Sequence, residues 1–423
     1  MFAGKNSRLV LGWGDLPWGW VALVIFSLLA LAACGGGDSG DTTTSQGTTE
    51  SSSSGARSIV TTTVAPGVIS AALGSHADIV FTSQGRQTLS DVMTFDSGAM
   101  AALGMNRALA RANGEPLSFV LHLTGADVGD GGVSFQSVTN PKGESLDMGI
   151  QPCVPHYCSV LVPRTPTMTD IQGTWQYRLR NAGTRAKDFS VYITLRSGPT
   201  PGAATKLIVA PYQVAGTSFT AADVTAAMTH LVSIFAKNDI AVEVRNLTTI
   251  EGAQFKVIDL DFTNTVVVDL VSRGAADAVN IFFVEDFLDY GALGIAAAVP
   301  GSMGLSGGHN GILIGMAPHA VGSVLDTDFM GETAAHEMGH FFGLFHTSEY
   351  DGSSHDPLAD TPECPMLRDV SGSGSLEVEE CSGLGADNLM FWTPFNSWAG
   401  IHPVQDVLTQ DQRTLLRYAP IAQ

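Results

Sequence analysis

Basic residues are scarce in this chain. Its 423 residues include 21 Lys and Arg against 41 Asp and Glu, a formal net charge of -20 at pH 7. A nucleic-acid-binding protein needs a basic face to neutralise phosphates, so this balance excludes nucleic acid as an expected partner. Charged residues make up only 15% of the chain and hydrophobic residues 44%, which leaves apolar material for a full core in each of two domains.

Cysteine is also sparse, with five residues in the whole chain. One of them, Cys34, stands alone near the N-terminus. The other four form two local pairs, Cys153 with Cys158 and Cys364 with Cys381. An exported protein meets oxidising conditions, so we predict that each local pair is a disulfide bond.

The apolar run from Val21 to Ala33 is too short to span a membrane comfortably. It follows Lys5 and Arg8 and ends in small residues, which is typical of a secretory signal peptide. The ending Leu31-Ala32-Ala33-Cys34 resembles the bacterial lipobox. That resemblance implies that residues 1–34 are a lipoprotein signal peptide and that Cys34 carries lipid; an ordinary signal peptide with an incidental cysteine is the alternative.

Residues 35–63 are rich in Gly, Ser and Thr and contain few apolar side chains. Such a segment cannot bury enough surface to fold, so it is expected to be a flexible tether. A lipid anchor followed by a tether holds a globular domain off a membrane. We therefore expect a location in the cell envelope of a bacterium, lipid-anchored at the outer membrane or cell surface.

Residues 64–197 are predicted to form an all-β domain. Short segments alternate apolar and polar residues, as half-buried strands do; examples are Leu117–Leu123, Trp175–Arg180 and Phe189–Leu195. Several such strands at turn-like spacing indicate a β-sandwich. The last two segments resemble the closing hairpin of the jelly-roll domains that accompany secreted proteases.

After a linker at Pro199–Gly202, the pattern changes over residues 203–423. We expect an amphipathic helix from Thr220 to Lys237 and a second helix from about Phe329 to Phe342. Strands mixed with long helices predict an α/β (α+β) domain with a twisted mixed sheet. The predicted strands are Leu207–Tyr212, Ile240–Val244, Val279–Val284 and Gly311–Met316.

The second helix carries the sequence HEMGHFFGLFH, from His336 to His346. Residues four apart lie on one face of a helix, so His336 and His340 can present two imidazoles to one metal ion. Gly343 lets the chain leave the helix sharply and bring His346 round as a third ligand. Three nitrogen ligands leave a fourth position open, as a catalytic zinc requires, and Glu337 is the candidate general base. Buried, hydrogen-bonded histidines are the structural alternative.

This motif resembles that of the metzincins, a group of zinc metalloproteases. The resemblance implies a methionine in a tight turn beneath the metal, for which Met390 is the candidate. It also implies hydrolysis of peptide bonds, in which Glu337 takes a proton from a zinc-bound water. The peptide or protein substrate would lie extended along the edge strand of the cleft, which we expect at Gly311–Met316.

Within the metzincins, the C-terminal part resembles the pappalysin group, which includes ulilysin. The shared features are an Asp-Thr-Pro loop, a local cysteine pair, an Asn-x-Met turn and a closing Thr-x-x-Gln helix, found at Asp360–Pro362, Cys364 and Cys381, Asn388–Met390 and Leu408–Arg413. Some members bind calcium at this loop, so Asp356 and Thr361 are candidate calcium ligands; a plain turn is the alternative. Where the group has a tyrosine, this chain has Trp392, whose indole N–H is a candidate transition-state donor.

Many metzincins are held inactive by a cysteine that binds the metal from a preceding segment. Cys153 lies in such a segment, and zinc binds thiolate sulfur well. A disulfide between Cys153 and Cys158 is the favoured interpretation, and an oxidised cysteine cannot bind the metal. We therefore predict that residues 64–197 are a retained accessory domain.

Two other functions compete with proteolysis. One is a catalytically weak or inactive surface-binding lipoprotein that keeps a zinc scaffold, and the other is a zinc hydrolase that acts on a non-peptide bond. Glu337 argues against the first, because a scaffold needs no base at that position.

Overall fold

A computed structural model gives the fold of the chain. The residues that it describes are 61–65, 68–75, 79–80, 87–95, 116–129, 132–146, 153–168, 171, 173–181, 186–187, 189–198, 200–202, 204–288, 291–394 and 404–423. The leader and Cys34 lie outside the described residues. The first strand begins at Thr61, three residues before the boundary expected at residue 64. None of the helices in the described ranges has both the length and the hydropathy needed to cross a lipid bilayer.

The N-terminal part, which we call the β domain, comprises residues 61–198. Its strands are β1 (Thr61–Ala65), β2 (Val68–Ser75), β3 (Ile79–Val80), β4 (Gln87–Phe95), β5 (Pro116–Thr124), β6 (Val133–Thr139), β7 (Cys153–Val154), β8 (Tyr157–Val162), β9 (Gly173–Asn181), β10 (Ala186–Lys187) and β11 (Ser190–Ser197). Six of them form an antiparallel sheet in the order β1-β2-β11-β5-β8-β7, and three form a second sheet in the order β4-β9-β6.

The two sheets share one hydrophobic core. Phe119 of β5 meets Trp175 of β9 edge to face, with ring centroids 5.2 Å apart. The predicted closing hairpin is wrong: β9 pairs with β4 and β6, whereas β11 pairs with β2 and β5 in the other sheet. Alternation identifies a strand, but it carries no information about which strand will be its neighbour.

Strands β5, β8 and β11 are buried on both faces, whereas alternation predicts half-buried strands. In each of these strands, every second residue is apolar and packs in the core between the two sheets. The opposite face carries Ser118, His122, Ser159 and Thr194, which are 0–3% exposed. This face is buried because the C-terminal domain covers it, so the polar residues on it are interior residues.

The C-terminal part, which we call the α/β domain, comprises residues 204–423. Its strands are β12 (Lys206–Val214), β13 (Ala241–Val244), β14 (Thr248–Ile250), β15 (Val257–Ile258), β16 (Val279–Val284), β17 (Asp286–Phe287), β18 (Gly294–Ala296), β19 (Ile312–Gly315), β20 (Ala320–Val321) and β21 (Val324–Leu325). Its helices are α1 (Ala221–Lys237), α2 (Thr265–Val271), α3 (Thr327–Phe341) and α4 (Gln410–Tyr418), with 3-10 turns at Ala253–Phe255, Ala317–His319 and Met366–Arg368.

The main sheet of the α/β domain has the order β13-β12-β16-β19-β18. All neighbours run parallel except β18, which is antiparallel to β19. The expected edge strand, Gly311–Met316, is therefore wrong, because β19 lies between β16 and β18. The edge strand is β18, whose three residues in a glycine-rich segment are too few to display an alternating pattern.

Helices α1 and α3 pack together on one face of this sheet and form the largest core of the domain. Helix α1 begins with a capping box: Asp223 N donates to Thr220 Oγ1, and Thr220 N donates to Asp223 Oδ2. Its buried face includes Met228 and Leu231, as its spacing predicts. Helix α1 thus supports one face of α3, and the opposite face of α3 is left for the candidate site.

Candidate metal centre

Helix α3 begins after an N-capping aspartate, and a glycine turn follows its C-terminal end. The Asp326 carboxylate accepts a hydrogen bond of 2.9 Å from Phe329 N, which caps the N-terminus. After the helix ends at Phe341, Gly343 adopts a φ of 90°. A Cβ atom there would lie only 2.8 Å from Leu161 Cδ2, so both conformation and space favour glycine. The chain then turns back, and His346 comes to lie beside the helix.

His336, His340 and His346 converge, as the motif predicts. Their ligand nitrogens all lie within 4.8 Å of one another. Nε2 of His340 and Nε2 of His346 are 3.0 Å apart. Nitrogens bound to one tetrahedral zinc at about 2.0–2.1 Å are roughly 3.3 Å apart, so this spacing fits a shared zinc ion.

The hydrogen bonds of the other ring nitrogens set the tautomers of these histidines. His336 Nδ1 is 2.7 Å from Leu389 O, and His340 Nδ1 is 2.8 Å from Leu344 O. A carbonyl oxygen only accepts, so each Nδ1 carries the hydrogen and each Nε2 keeps its lone pair. His346 Nδ1 faces Glu349 Oε2 at 3.2 Å, which gives neutral His346 the same tautomer. The Nε2 lone pairs of His340 and His346 are then 3.0 Å apart and repel unless a cation lies between them. The donor set therefore fits a bound metal better than it fits a hydrogen-bonded histidine cluster.

Glu349 supports the third histidine, and sequence reasoning missed it. Its Oε2 is 3.2 Å from His346 Nδ1. The only signal in the sequence is an acidic residue three positions after the last ligand. Burial lowers the pKa of His336 to about 3 and that of His340 well below its ordinary value, so both are neutral and able to bind a cation.

Glu337 belongs to helix α3, and its side chain reaches the edge strand β18. Its Oε2 accepts a hydrogen bond of 2.7 Å from Ala296 N. Strand β18 approaches closely because it has a glycine here: a Cβ atom on Gly294 would be 3.1 Å from Glu337 Cγ. Burial raises the pKa of Glu337 to about 7.

Met390 lies directly against helix α3. It is fully buried, and a Cβ atom on Gly339 would collide with its sulfur. The turn that contains Met390 also touches two of the histidine segments. Leu389 O accepts from His336 Nδ1, and Met390 O accepts from the backbone N–H of Thr347, next to His346. The structure thus packs this turn against helix α3 and against the segment that carries His346.

Trp392 is not placed to stabilise a transition state. Its indole N–H donates to Leu376 O at 3.0 Å, and the side chain is only 6% exposed. The ring packs in a small core with the Cys364–Cys381 disulfide and contacts Tyr350 edge to face. The prediction is wrong because its single donor is already used inside this core.

Asp356 and Thr361 do come together. Thr361 Oγ1 and Leu358 N both donate to Asp356 Oδ1, at 2.5 and 3.1 Å. Asp356 Oδ2 is buried and has no hydrogen-bond partner among the described residues. Burial, with the nearby Asp360 and Glu363 as smaller causes, raises the pKa of Asp356 to about 7. A buried carboxylate oxygen without a partner fits a cation ligand.

Cys153 and Cys158 are joined by a disulfide bond, with Cα atoms 4.4 Å apart on β7 and β8. Cys364 and Cys381 are joined in the same way, with Cα atoms 5.6 Å apart. A disulfide-bonded Cys153 has no thiolate to offer a metal, so the latency switch is absent from this arrangement.

Comparison with known proteins gives relatives among extracellular metalloproteases. No protein-family model matches the sequence. Extracellular metalloprotease 1 of Coccidioides posadasii (strain C735) is 33% identical over 117 residues, which is 25% of this chain and 41% of that protein. An extracellular metalloprotease of Arthroderma otae (strain ATCC MYA-4605 / CBS 113480) is 29% identical over 153 residues, 33% of this chain and 54% of that protein. The chain spans about half the length of the curated relatives it matches.

Among solved structures, metalloproteinase-II from Bacteroides fragilis is similar to this chain at 12% sequence identity and a TM-score of 0.23. The match covers 38% of this chain and 54% of that protein. A TM-score this low has no bearing on the fold. The relationship of this chain to known proteins therefore rests on its sequence similarity to extracellular metalloproteases.

Proposed function

We propose that this chain is an extracellular zinc-dependent endopeptidase of the metzincin type, close to the pappalysin group. The observation that carries the proposal is the convergence of three histidine side chains, two of them on the helix that also carries the half-buried Glu337 carboxylate. The similarity to fungal extracellular metalloproteases supports it. His336, His340 and His346 would hold the zinc, and Met390 would form the apolar floor beneath them.

When bound, zinc would act as a Lewis acid on the scissile carbonyl and on the attacking water. The general base in this proposal is Glu337. It takes a proton from the water and gives it to the amide nitrogen as the C–N bond breaks. Ala296 N holds Oε2 of Glu337 in place, which leaves Oε1 for the proton. Leu389, Leu344 and Glu349 keep the three imidazoles in their metal-binding tautomers.

The substrate in this proposal adds a strand to β18. Leu293 O and Ala297 N bond to β19 and its extension, so the backbone groups of Gly294 and Ala296 point the other way. Ala296 N–H is taken by Glu337, which leaves the backbone of Gly294 for an extended peptide. A peptide paired there would lie across the face of α3 that carries Glu337.

Calcium and the membrane anchor also remain proposals. Calcium would bind at Asp356, whose Oδ2 is buried without a partner, with Thr361 beside it. Lipid on Cys34 would hold the domains at the bacterial cell surface. A Cys34→Ala protein should then leave the membrane fraction, and retention after a salt and carbonate wash would show that the anchor lies elsewhere.

The experiment that tests the main proposal is cleavage of casein by the purified chain loaded with zinc. Loss of cleavage with 1,10-phenanthroline and its return on addition of zinc would support a zinc enzyme. Mass spectrometry of the products should find new peptide termini. A protein that holds one zinc ion yet cleaves neither casein, gelatin nor a peptide library would refute the proposal in favour of a scaffold. Hydrolysis of ester substrates alone would favour the non-peptide rival.

A further inference from the structure

The β domain has one sheet face that mixes polar and apolar residues and is interior in the structure. On β5 and β8, Leu121 and Val160 pair across the strands and point into the core between the two sheets. Their neighbours Val120 and Leu161 also pair, but these two belong to the core of the α/β domain. A single pair of strands therefore contributes to two cores, one on each face.

The segment that this face supports is the turn between the second and third histidines. Leu161 packs on Gly343, where a Cβ atom would be only 2.8 Å from Leu161 Cδ2. Leu161 shares its core with Phe342 and Leu344. The guanidinium of Arg164 lies 5.6 Å from the ring centre of Phe345, the residue directly before His346.

A second connection reaches the end of helix α3. Ser159 Oγ donates to Pro300 O at 2.8 Å. The next residue, Gly301, donates its backbone N–H to Phe341 O at 2.9 Å. That carbonyl lies in the last turn of α3, where no partner within the helix is available. Ser159 thus steadies the segment that satisfies the end of the metal-binding helix.

A third connection reaches the C-terminus of the chain. Arg196 of β11 is only 8% exposed, and its Nη1 donates to Arg417 O and Ala419 O at 2.5 and 3.3 Å. These carbonyls end helix α4. Burying a guanidinium away from water is costly unless its donors are used, so this contact belongs to a permanent interface.

We infer that the outer face of the β domain is part of the metal centre's support, and that Leu161 and Arg164 are positioning residues for His346. The inference rests on the proposed zinc site. Without Leu161, the turn at Gly343–Phe345 loses its packing partner, and the third imidazole is no longer held at the distance that zinc needs. The β domain is then a permanent half of the zinc-binding unit, and its removal would open the metal site.

The test compares two leucine deletions in the full chain. Leu161→Ala and Leu121→Ala remove the same atoms from paired strands, the first toward the metal turn and the second toward the β-domain core. Zinc affinity is measured by competition with a chelating dye, at a temperature where circular dichroism confirms that both variants are folded. We expect Leu161→Ala to weaken zinc binding at least ~10-fold and Leu121→Ala less than ~3-fold, since metal binding depends on preformed ligand geometry. Equal zinc affinities in the two variants would overturn the inference.

Arg164 provides a measurement that does not depend on core stability. Arg164→Ala should weaken zinc binding by ~3-fold or more, and Arg164→Lys should restore only part of it, because a lysine keeps the charge but lacks the guanidinium that lies over the Phe345 ring. Unchanged zinc affinity in Arg164→Ala would count against the inference. Casein cleavage is assayed separately: a wild-type chain that binds zinc but does not cleave would refute the proposed function and leave this inference standing.

Discussion

The side-chain amides of Asn388 and Gln412 face each other and exchange hydrogen bonds in both directions. Asn388 Nδ2 donates to Gln412 Oε1 at 2.9 Å, and Gln412 Nε2 donates to Asn388 Oδ1 at 3.2 Å. Both side chains are buried. Asn388 Oδ1 also accepts from Met390 N, so this amide pair ties the closing helix α4 to the turn beneath the metal site.

We predict that Gln412→Leu destabilises the chain and weakens zinc binding. The change leaves the buried Asn388 Nδ2 without its acceptor, while Asn388 Oδ1 keeps only the bond from Met390 N; the unpaired donor should cost about 1–3 kcal/mol of unfolding free energy. It should also loosen Leu389, whose carbonyl orients His336. Chemical denaturation and zinc titration measure the two effects. Gln410→Leu on the exposed face of α4 is the matched control, and equal losses in both variants would contradict the prediction.

Glu337→Gln should abolish cleavage and leave zinc in place. The amide keeps the size of the side chain but cannot accept a proton, so we expect a loss of at least ~10²-fold in kcat. Zinc content by elemental analysis should remain one ion per chain. Asp328→Asn, an exposed change on the same helix, should cleave casein normally. Near-normal turnover in Glu337→Gln would rule out this residue as the base.

Glu349→Ala should weaken zinc binding without touching a metal ligand. Its carboxylate holds His346 Nδ1, and removal of such a partner typically costs 10–100-fold in metal affinity. Glu349→Gln keeps an acceptor oxygen and should lose less. Competition with a chelating dye measures both, with the exposed Glu379→Ala as control. An affinity in Glu349→Ala equal to that of the control would mean that His346 is oriented by other contacts.

Calcium should raise the melting temperature of the wild-type chain and leave that of Asp356→Asn unchanged. The buried Oδ2 of Asp356 has no protein partner among the described residues, and a bound cation would supply one. Scanning calorimetry with calcium or with a calcium chelator measures the shift. Asp351→Asn, in a nearby turn, should respond to calcium as the wild type does. A wild-type chain that is indifferent to calcium would leave this loop as a plain turn.

Local sequence patterns were enough to predict the three converging histidines and the main helices. The spacing from His336 to His346 depends on the helical repeat and on one glycine, and both act within a few residues. The helices form where the patterns place them, at Ala221–Lys237 and Thr327–Phe341. Neighbouring cysteines close the two predicted disulfides for the same reason, because short separations leave few alternatives.

Contacts between distant segments could not be predicted in this way. The edge strand is β18, and the sequence could not predict it. The position of β18 depends on antiparallel pairing with β19, and its three residues form no alternating pattern. Trp392 matched the position of a family donor, yet its N–H donates to the backbone oxygen of Leu376. Glu349 and Gln412 act on the metal site only through hydrogen bonds that folding brings about.

The sequence by itself determined the candidate site, since two histidines four residues apart on a helix, followed by a glycine turn and a third histidine, predict a metal site from local geometry alone. The tertiary structure alone decided what surrounds that site. Alternation along β5 and β11 predicts one mostly polar face, but only the docked α/β domain makes that face an interior. Burial is a property of the whole fold, because it depends on what lies opposite a residue, and no local pattern contains that information.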